Sequence, residues 1–219
     1  MKQVCVIGLG QFGAHLARTL VRMGCEVLAI DLNEQRVDAI RDDVHRALIG
    51  DVRSFMVLQS VITPSVSDVV VCLGEKSLEP SILCTLNLAR LQVKSIRCTA
   101  VSDDHAQILR AVGATDVIFP ERESAERTSR RVAIPDLRDM FSLSEDYRIM
   151  ELVAPRVMHG RTLADVNLRS EYDVLILAVR EPGEEHYRFL PGADTVVRPD
   201  EVLMILGREL DLARLAAAR

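Results

Sequence analysis

Short apolar runs alternate with segments of helical period along the first two thirds of the chain. The runs cover residues 3–9, 26–31, 46–49, 68–73, 95–100 and 116–119. The last five carry Val, Ile or Leu facing both sides, as strands covered by helices on both faces require. Between them, residues 12–23 repeat apolar positions at Phe12, Leu16, Leu20 and Met23, residues 34–41 carry Val37 and Ile40, and residues 77–91 carry Ile82, Leu86 and Leu91. Residues 103–112 carry Ala106, Leu109 and Val112, and Gly113 follows where a helix C-terminal glycine belongs. Strand and helix in strict alternation predict an α/β fold with a doubly wound parallel sheet.

The pattern changes after Phe119. Residues 121–132 are charged and helical, with Arg122, Arg127, Arg130 and Arg131 set against Glu121, Glu123 and Glu126 in the manner of a solvated helix face. Pro135 is expected to break this helix, and residues 136–145 read as a connector. Leu137, Met140 and Phe141 form an apolar set within it, of the kind that marks a partner surface. From Tyr147 onward, runs at 148–153, 173–179 and 201–206 alternate with turn-rich pieces, and short helices are expected at 163–168 and 210–217. The expected organisation is a doubly wound domain over 1–134, a connecting and dimerising segment over 135–146, and a small α+β domain over 147–219.

Hydrophobic residues make up 48% of the 219, so a packed core is expected rather than disorder. The formal net charge of −5 disfavours nucleic acid as a partner, because phosphate neutralisation needs clustered Lys and Arg. Met1 leads straight into an apolar run with no basic segment before it, so no signal peptide is expected. The apolar runs fall far short of the ~20 residues of a spanning helix. Cys5, Cys25, Cys72, Cys84 and Cys98 never form a Cys-x-x-Cys pair and mostly sit in strand-like runs, where they read as small buried hydrophobes in a reducing compartment.

The chemistry concentrates at the first strand. The segment Val4-Cys5-Val6-Ile7-Gly8-Leu9-Gly10-Gln11-Phe12-Gly13 reads as strand, turn and helix. In a Rossmann-like turn of this spacing the first glycine permits the tight turn, the second lets the backbone approach a diphosphate, and the third lets the helix pack closely on the sheet. The helix N-terminus then offers unpaired N–H groups to that diphosphate. Asp31 ends the second strand about 20 residues on, where a carboxylate can accept from ribose hydroxyls; an acidic residue there disfavours a 2′-phosphate. ADP-type ligands and NAD both fit. Support for catalysis is thin: His15, His45, His105, His159 and His186 are scattered, and no Ser-His-Asp set, metal-ligand spacing or Walker lysine stands out.

Across essentially its whole length the chain resembles the RCK (regulator of conductance of K⁺, or KTN) domain family, above all the cytosolic regulatory subunits of bacterial Ktr and Trk potassium uptake systems. The resemblance rests on the glycine segment, on Glu26-Val27-Leu28-Ala29-Ile30-Asp31 with Asn33-Glu34, on Gly50-Asp51, and on His105 with Val112-Gly113-Ala114 and Val117-Ile118-Phe119-Pro120-Glu121. It continues through Gly160-Arg161-Thr162-Leu163-Ala164-Asp165, Leu168-Arg169, Val174 to Val179, Pro199-Asp200-Glu201-Val202-Leu203 and Leu206-Gly207. It implies a non-catalytic protein that is cytoplasmic and peripheral at the inner face of the cell membrane. It further implies homodimers assembling into an octameric ring that docks on a membrane-embedded potassium translocator. Exchange of ADP, ATP or NAD(H) would then gate flux by changing the shape of the ring.

Carried over by position, the resemblance assigns Gly8, Gly10, Gln11, Phe12 and Gly13 to the phosphates, Asp31 and Asn33 to the ribose, Asp51 and Val52 to the adenine, and Leu73 and Gly74 to the far side of the diphosphate. Glu121 falls where some members help hold a divalent cation between facing nucleotides. Leu163, Ala164 and Arg169 fall where some members bind cyclic di-AMP. Two positions depart from the pattern: Gln11 stands where close members often carry Arg, and Thr99 where many carry Lys or Arg. Both changes remove charge that would select a third phosphate, and Arg18 and Arg53 are candidates to replace it. A nicotinamide-dependent oxidoreductase and a nucleotide-sensing adaptor for another partner are the competing readings.

Overall fold

The structure is a computed structural model that describes residues 1–74, 77–134 and 136–218. Six strands, β1 (Gln3–Ile7), β2 (Glu26–Asp31), β3 (Arg46–Ile49), β4 (Val66–Val71), β5 (Ser95–Thr99) and β6 (Asp116–Ile118), form an all-parallel sheet in the order β3-β2-β1-β4-β5-β6. Helices α1 (Gln11–Arg22), α2 (Glu34–Asp38), α3 (Phe55–Val61), α4 (Leu78–Arg90) and α5 (Asp103–Ala111) supply the crossovers. The order reverses between β1 and β4, and the connections that follow these two strands lead to opposite sides, which opens a crevice at the strands' carboxyl ends.

Successive strand residues enter different cores, which is why the strands read as apolar throughout. Cys5, Ile7, Val69 and Val71 pack with α4 and α5 residues such as Leu88 and Leu109. Val4, Val6, Val27 and Ala29 pack on the other side with Ala17 and Val37. Cys5, Cys72, Cys84 and Cys98 are all buried and all free, as small hydrophobes are. Gly113 has φ +115°, the left-handed value expected just past a helix end, and its missing Cβ makes room for Ala89.

The second sheet is antiparallel throughout. Strands β7 (Leu137–Ser142), β8 (Tyr147–Val153), β9 (Leu175–Arg180), β10 (Arg188–Phe189) and β11 (Val202–Arg208) lie in the order β10-β9-β11-β8-β7. Helices α7 (Leu163–Val166), α8 (Leu168–Tyr172) and α9 (Glu209–Ala216) contribute Val166, Leu168, Leu212 and Leu215 to a core with Met150, Leu152, Leu203 and Ile205.

Three expectations are corrected here. Residues 136–145 are not a connector: they contain β7, whose Leu137 is buried and whose Met140 packs on the second core, leaving Phe141 half exposed. The helix expected at 163–168 is two helices, because Asn167 takes φ +47° and turns the chain between α7 and α8. The chain divides into compact units at Met1–Arg122 and Glu123–Arg219, earlier than residue 135 and within helix α6 (Pro120–Ala133). The cause is that α6 has no buried residue of its own, while Arg130 pairs with Glu209, Arg131 with Asp139, and Ile134 packs on the second core. The helix break expected at Pro135 lies outside the described residues. No helix is long and apolar enough to cross a membrane among the described residues.

Candidate functional site at the glycine turn

Gly8 adopts φ +90°, and a side chain there would run into the Cys72 carbonyl oxygen and the Leu73 side chain. Its N–H donates to the Ile30 carbonyl at 2.8 Å, and the Cys72 N–H donates to the Ile7 carbonyl at 2.6 Å, so the turn is clamped between β2 and β4. A Cβ on Gly13 would overlap the Gly8 carbonyl oxygen; this glycine lets α1 approach the sheet. Gly10 differs from both. It begins α1 with extended backbone, no side chain caps the helix there, and a Cβ would meet nothing within 4 Å. The space above Gly10 is therefore open, and the first N–H groups of α1 lack intrahelical partners.

Asp31 ends β2 beside this turn and is only 7% exposed. Its Oδ2 accepts from the Leu9 N–H at 2.6 Å and its Oδ1 from the Asn33 N–H at 2.8 Å, so the carboxylate ties the glycine turn to the loop after β2. Asn33 in turn caps α2: its Oδ1 accepts from the Arg36 N–H at 3.1 Å. The Arg36 guanidinium comes to 3.5 Å from Asp31 Oδ2.

These residues border a hollow of about 480 Å³, within the ordinary range for a small-molecule site, lined by Ile7, Gly8, Ile30, Asp31, Leu32, Asn33, Arg36, Asp51, Val52, Arg53, Leu73, Ser77 and Pro80. A second hollow of about 410 Å³ shares Asn33 and Arg36 with it and adds Leu9, Gly10, Gln11, Ala14 and Arg18. Of the sequence-derived candidates, Gly8, Asp31, Asn33, Asp51, Val52 and Leu73 thus share one hollow and Gly10 and Gln11 its neighbour. Gly74 is exposed with open space at its Cβ position, Phe12 is 39% exposed, and Gly13 is buried beneath the turn.

The charges around the hollow are mostly committed. Arg53 donates to both carboxylate oxygens of Asp51, at 2.6 to 3.1 Å, and its hydrogen bonds hold that carboxyl below its usual range. Arg18 donates to Asp43 at 2.6 Å and to the Ala39 carbonyl at 3.0 Å. Neither of the two arginines weighed as substitutes for the missing phosphate partners is therefore uncommitted. Thr99 is buried and its hydroxyl donates to the carbonyls of Val71 and Leu73, so it joins β5 to β4. Arg36 is the groove cation that sequence reasoning missed. Its signal was positional: it stands three residues after the Asn33 cap, on the first turn of α2.

Glu121 is not brought to the glycine turn within the chain. It lines a separate hollow with Ala100, Val101, Phe119 and Arg122, and no cluster of three or more His, Cys, Asp and Glu residues suited to a metal ion occurs among the described residues. In the other unit, Leu163, Ala164 and Arg169 do come together, in a hollow of about 270 Å³ completed by Leu168, Val174, Ile176 and Pro191.

Residues 4–120 match the TrkA-N domain and residues 147–218 the TrkA-C domain. The chain is 32% identical over 213 residues to the Ktr system potassium uptake protein C of Bacillus subtilis (strain 168), covering 97% of this chain and 95% of that one, and it matches protein A of the same organism to the same extent. Among solved structures it resembles the GsuK RCK domain with a TM-score of 0.55 and the GsuK channel bound to NAD with 0.56, at 22% identity. It spans 47% and 39% of those longer chains. The two-domain match and the near full-length similarity lead to one conclusion: the chain belongs to the TrkA-N/TrkA-C family, the family of the Ktr potassium uptake proteins.

Proposed function

We propose that this chain is a nucleotide-sensing regulatory subunit of a Ktr- or Trk-type potassium uptake system, working in the cytoplasm against a membrane-embedded translocator. The observation that carries the reading is the open backbone surface at Gly10, set at the strand-order reversal beside Asp31. A diphosphate fits there on unpaired N–H groups, and the ribose within reach of a carboxylate. The ligand is an adenine nucleotide, ADP, ATP or NAD(H). The relatives' potassium-uptake role and the NAD held by one structural neighbour support the same reading.

Regulation on this reading is differential binding of the nucleotide to two arrangements of a homo-oligomer, built from dimers and closing as an octameric ring, with no chemical step. A divalent cation at Glu121 needs further donors from the nucleotide or a facing copy. The shared hollow of Leu163, Ala164 and Arg169 supports a second ligand position there, for cyclic di-AMP. Calorimetric titration of ADP, ATP and NAD into the purified chain tests the first step, and potassium uptake by cells expressing a translocator with and without the chain tests the second. Binding of at least one nucleotide and chain-dependent uptake are expected. Absence of all nucleotide binding overturns the proposal.

A further inference from the structure

Arg36 borders both hollows at the glycine turn, and its place is fixed from the backbone up. Asn33 caps α2 by accepting the N–H of Arg36 itself, which fixes where the arginine side chain leaves the helix. The two other arginines on these hollows each make a hydrogen bond of 2.6 Å to a carboxylate, Arg18 to Asp43 and Arg53 to Asp51. Arg36 approaches Asp31 only to 3.5 Å, with a side chain 56% exposed. A guanidinium at that distance retains donors for another acceptor, since it carries five N–H groups. Asp31 likewise retains acceptor capacity: each of its oxygens takes one backbone N–H and has a lone pair over.

A ribose hydroxyl is both donor and acceptor, so a loosely joined carboxylate and guanidinium at the end of β2 form a matching pair of contacts for it. We propose that Arg36 is a ligand-binding residue: it donates to a ribose hydroxyl of the bound nucleotide while Asp31 accepts from the same diol, and the pair selects the intact ribose over deoxyribose. This rests on the adenine-nucleotide reading above. It also gives the groove a cation at the ribose, distinct from the terminal-phosphate position where Gln11 stands.

The test titrates ADP, 2′-deoxy-ADP and 3′-deoxy-ADP into the full chain as wild type, Arg36→Ala and Arg36→Lys. Wild type is expected to hold ADP about tenfold more tightly than one deoxy analogue, the scale of a hydrogen bond to a charged group. Arg36→Ala should weaken ADP about tenfold while leaving that analogue nearly unchanged, and Arg36→Lys should recover part of the loss. If Arg36→Ala fails to fold, Arg36→Gln carries the same comparison. Unchanged ADP affinity in Arg36→Ala, or an equal loss for ADP and both deoxy analogues, overturns the proposal and leaves nucleotide binding standing. A wild type that binds none of the three overturns the nucleotide reading itself, and this proposal with it.

Discussion

The two sheets of the molecule make their hollows by different means. In the parallel sheet the groove is a consequence of topology: strand order reverses between β1 and β4, and the backbone of a glycine turn forms its floor. In the antiparallel sheet the hollow is formed largely by side chains, where α7 meets α8 at the left-handed Asn167 and Leu163, Arg169 and Ile176 converge. A hollow made by backbone tolerates change in most side chains but fails at single atoms. One made by side chains can be retuned gradually, which suits it to varying ligands.

The largest effect expected from this difference is at Gly13. Gly13→Ala forces a methyl group into the Gly8 carbonyl, and overpacking of this kind costs about 1–3 kcal/mol or more. Thermal melting should show the loss. Gly10→Ala, with open space around it, should melt within about 0.5 kcal/mol of wild type and still lose nucleotide affinity. Equal melting of the two variants would break the comparison, because the turn would not then be floored by backbone packing.

Asp31→Ala comes next. It removes acceptors for the Leu9 and Asn33 N–H groups, and a hydrogen bond to a charged group contributes about 1.5–3 kcal/mol. Both stability and ADP affinity should fall, read by melting and calorimetry on the same sample. Gln11→Arg should favour ATP over ADP about tenfold more than wild type does in the absence of divalent cations, one charge-assisted bond's worth. An ATP preference already strong in cation-free wild type and unmoved by this variant would show that the third phosphate is read elsewhere. Arg169→Ala belongs to the other hollow and should leave ADP titrations within error while weakening any binding of cyclic di-AMP.

The smallest effect concerns pH. His105 is 4% exposed, and burial lowers its pKa below the usual 6.5. The unfolded chain then binds a proton that the folded one refuses. The resulting stability is complete above about pH 6.5 and is lost as pH falls from there through the folded value. Denaturant titrations at several pH values should show that slope in wild type and a shallower one in His105→Gln. A slope unchanged by the substitution would assign the acid sensitivity to other groups.

Most of the parallel sheet was legible because each strand is a continuous apolar run between amphipathic helices, a signal that survives errors of one or two residues. The antiparallel half hid more. In β7, a register irregularity between Leu137 and Asp139 lets Leu137 and Met140 both reach the core although they are three residues apart, so the alternation that marks a strand is absent. Strand β10 has only two residues. In the parallel half the element without a signal was α3, which buries only Leu58. At the site, the glycines and Asp31 were legible because their roles are geometric. The commitments of Arg18 and Arg53 were not: their partners Asp43 and Asp51 lie at separations that no periodic pattern encodes.

The buried cysteines carry one more consequence. Burial pushes the Cys72 thiol up to about 12 and the Cys98 thiol to about 11, and raises Cys5 and Cys84 as well, whereas Cys25 is only partly covered. Alkylating reagents attack the thiolate, so four of the five sulfurs are silent until the sheet opens around them. Their labelling rate is therefore a clock for that opening, and a nucleotide that closes the turn above Cys72 should slow it in proportion to its occupancy.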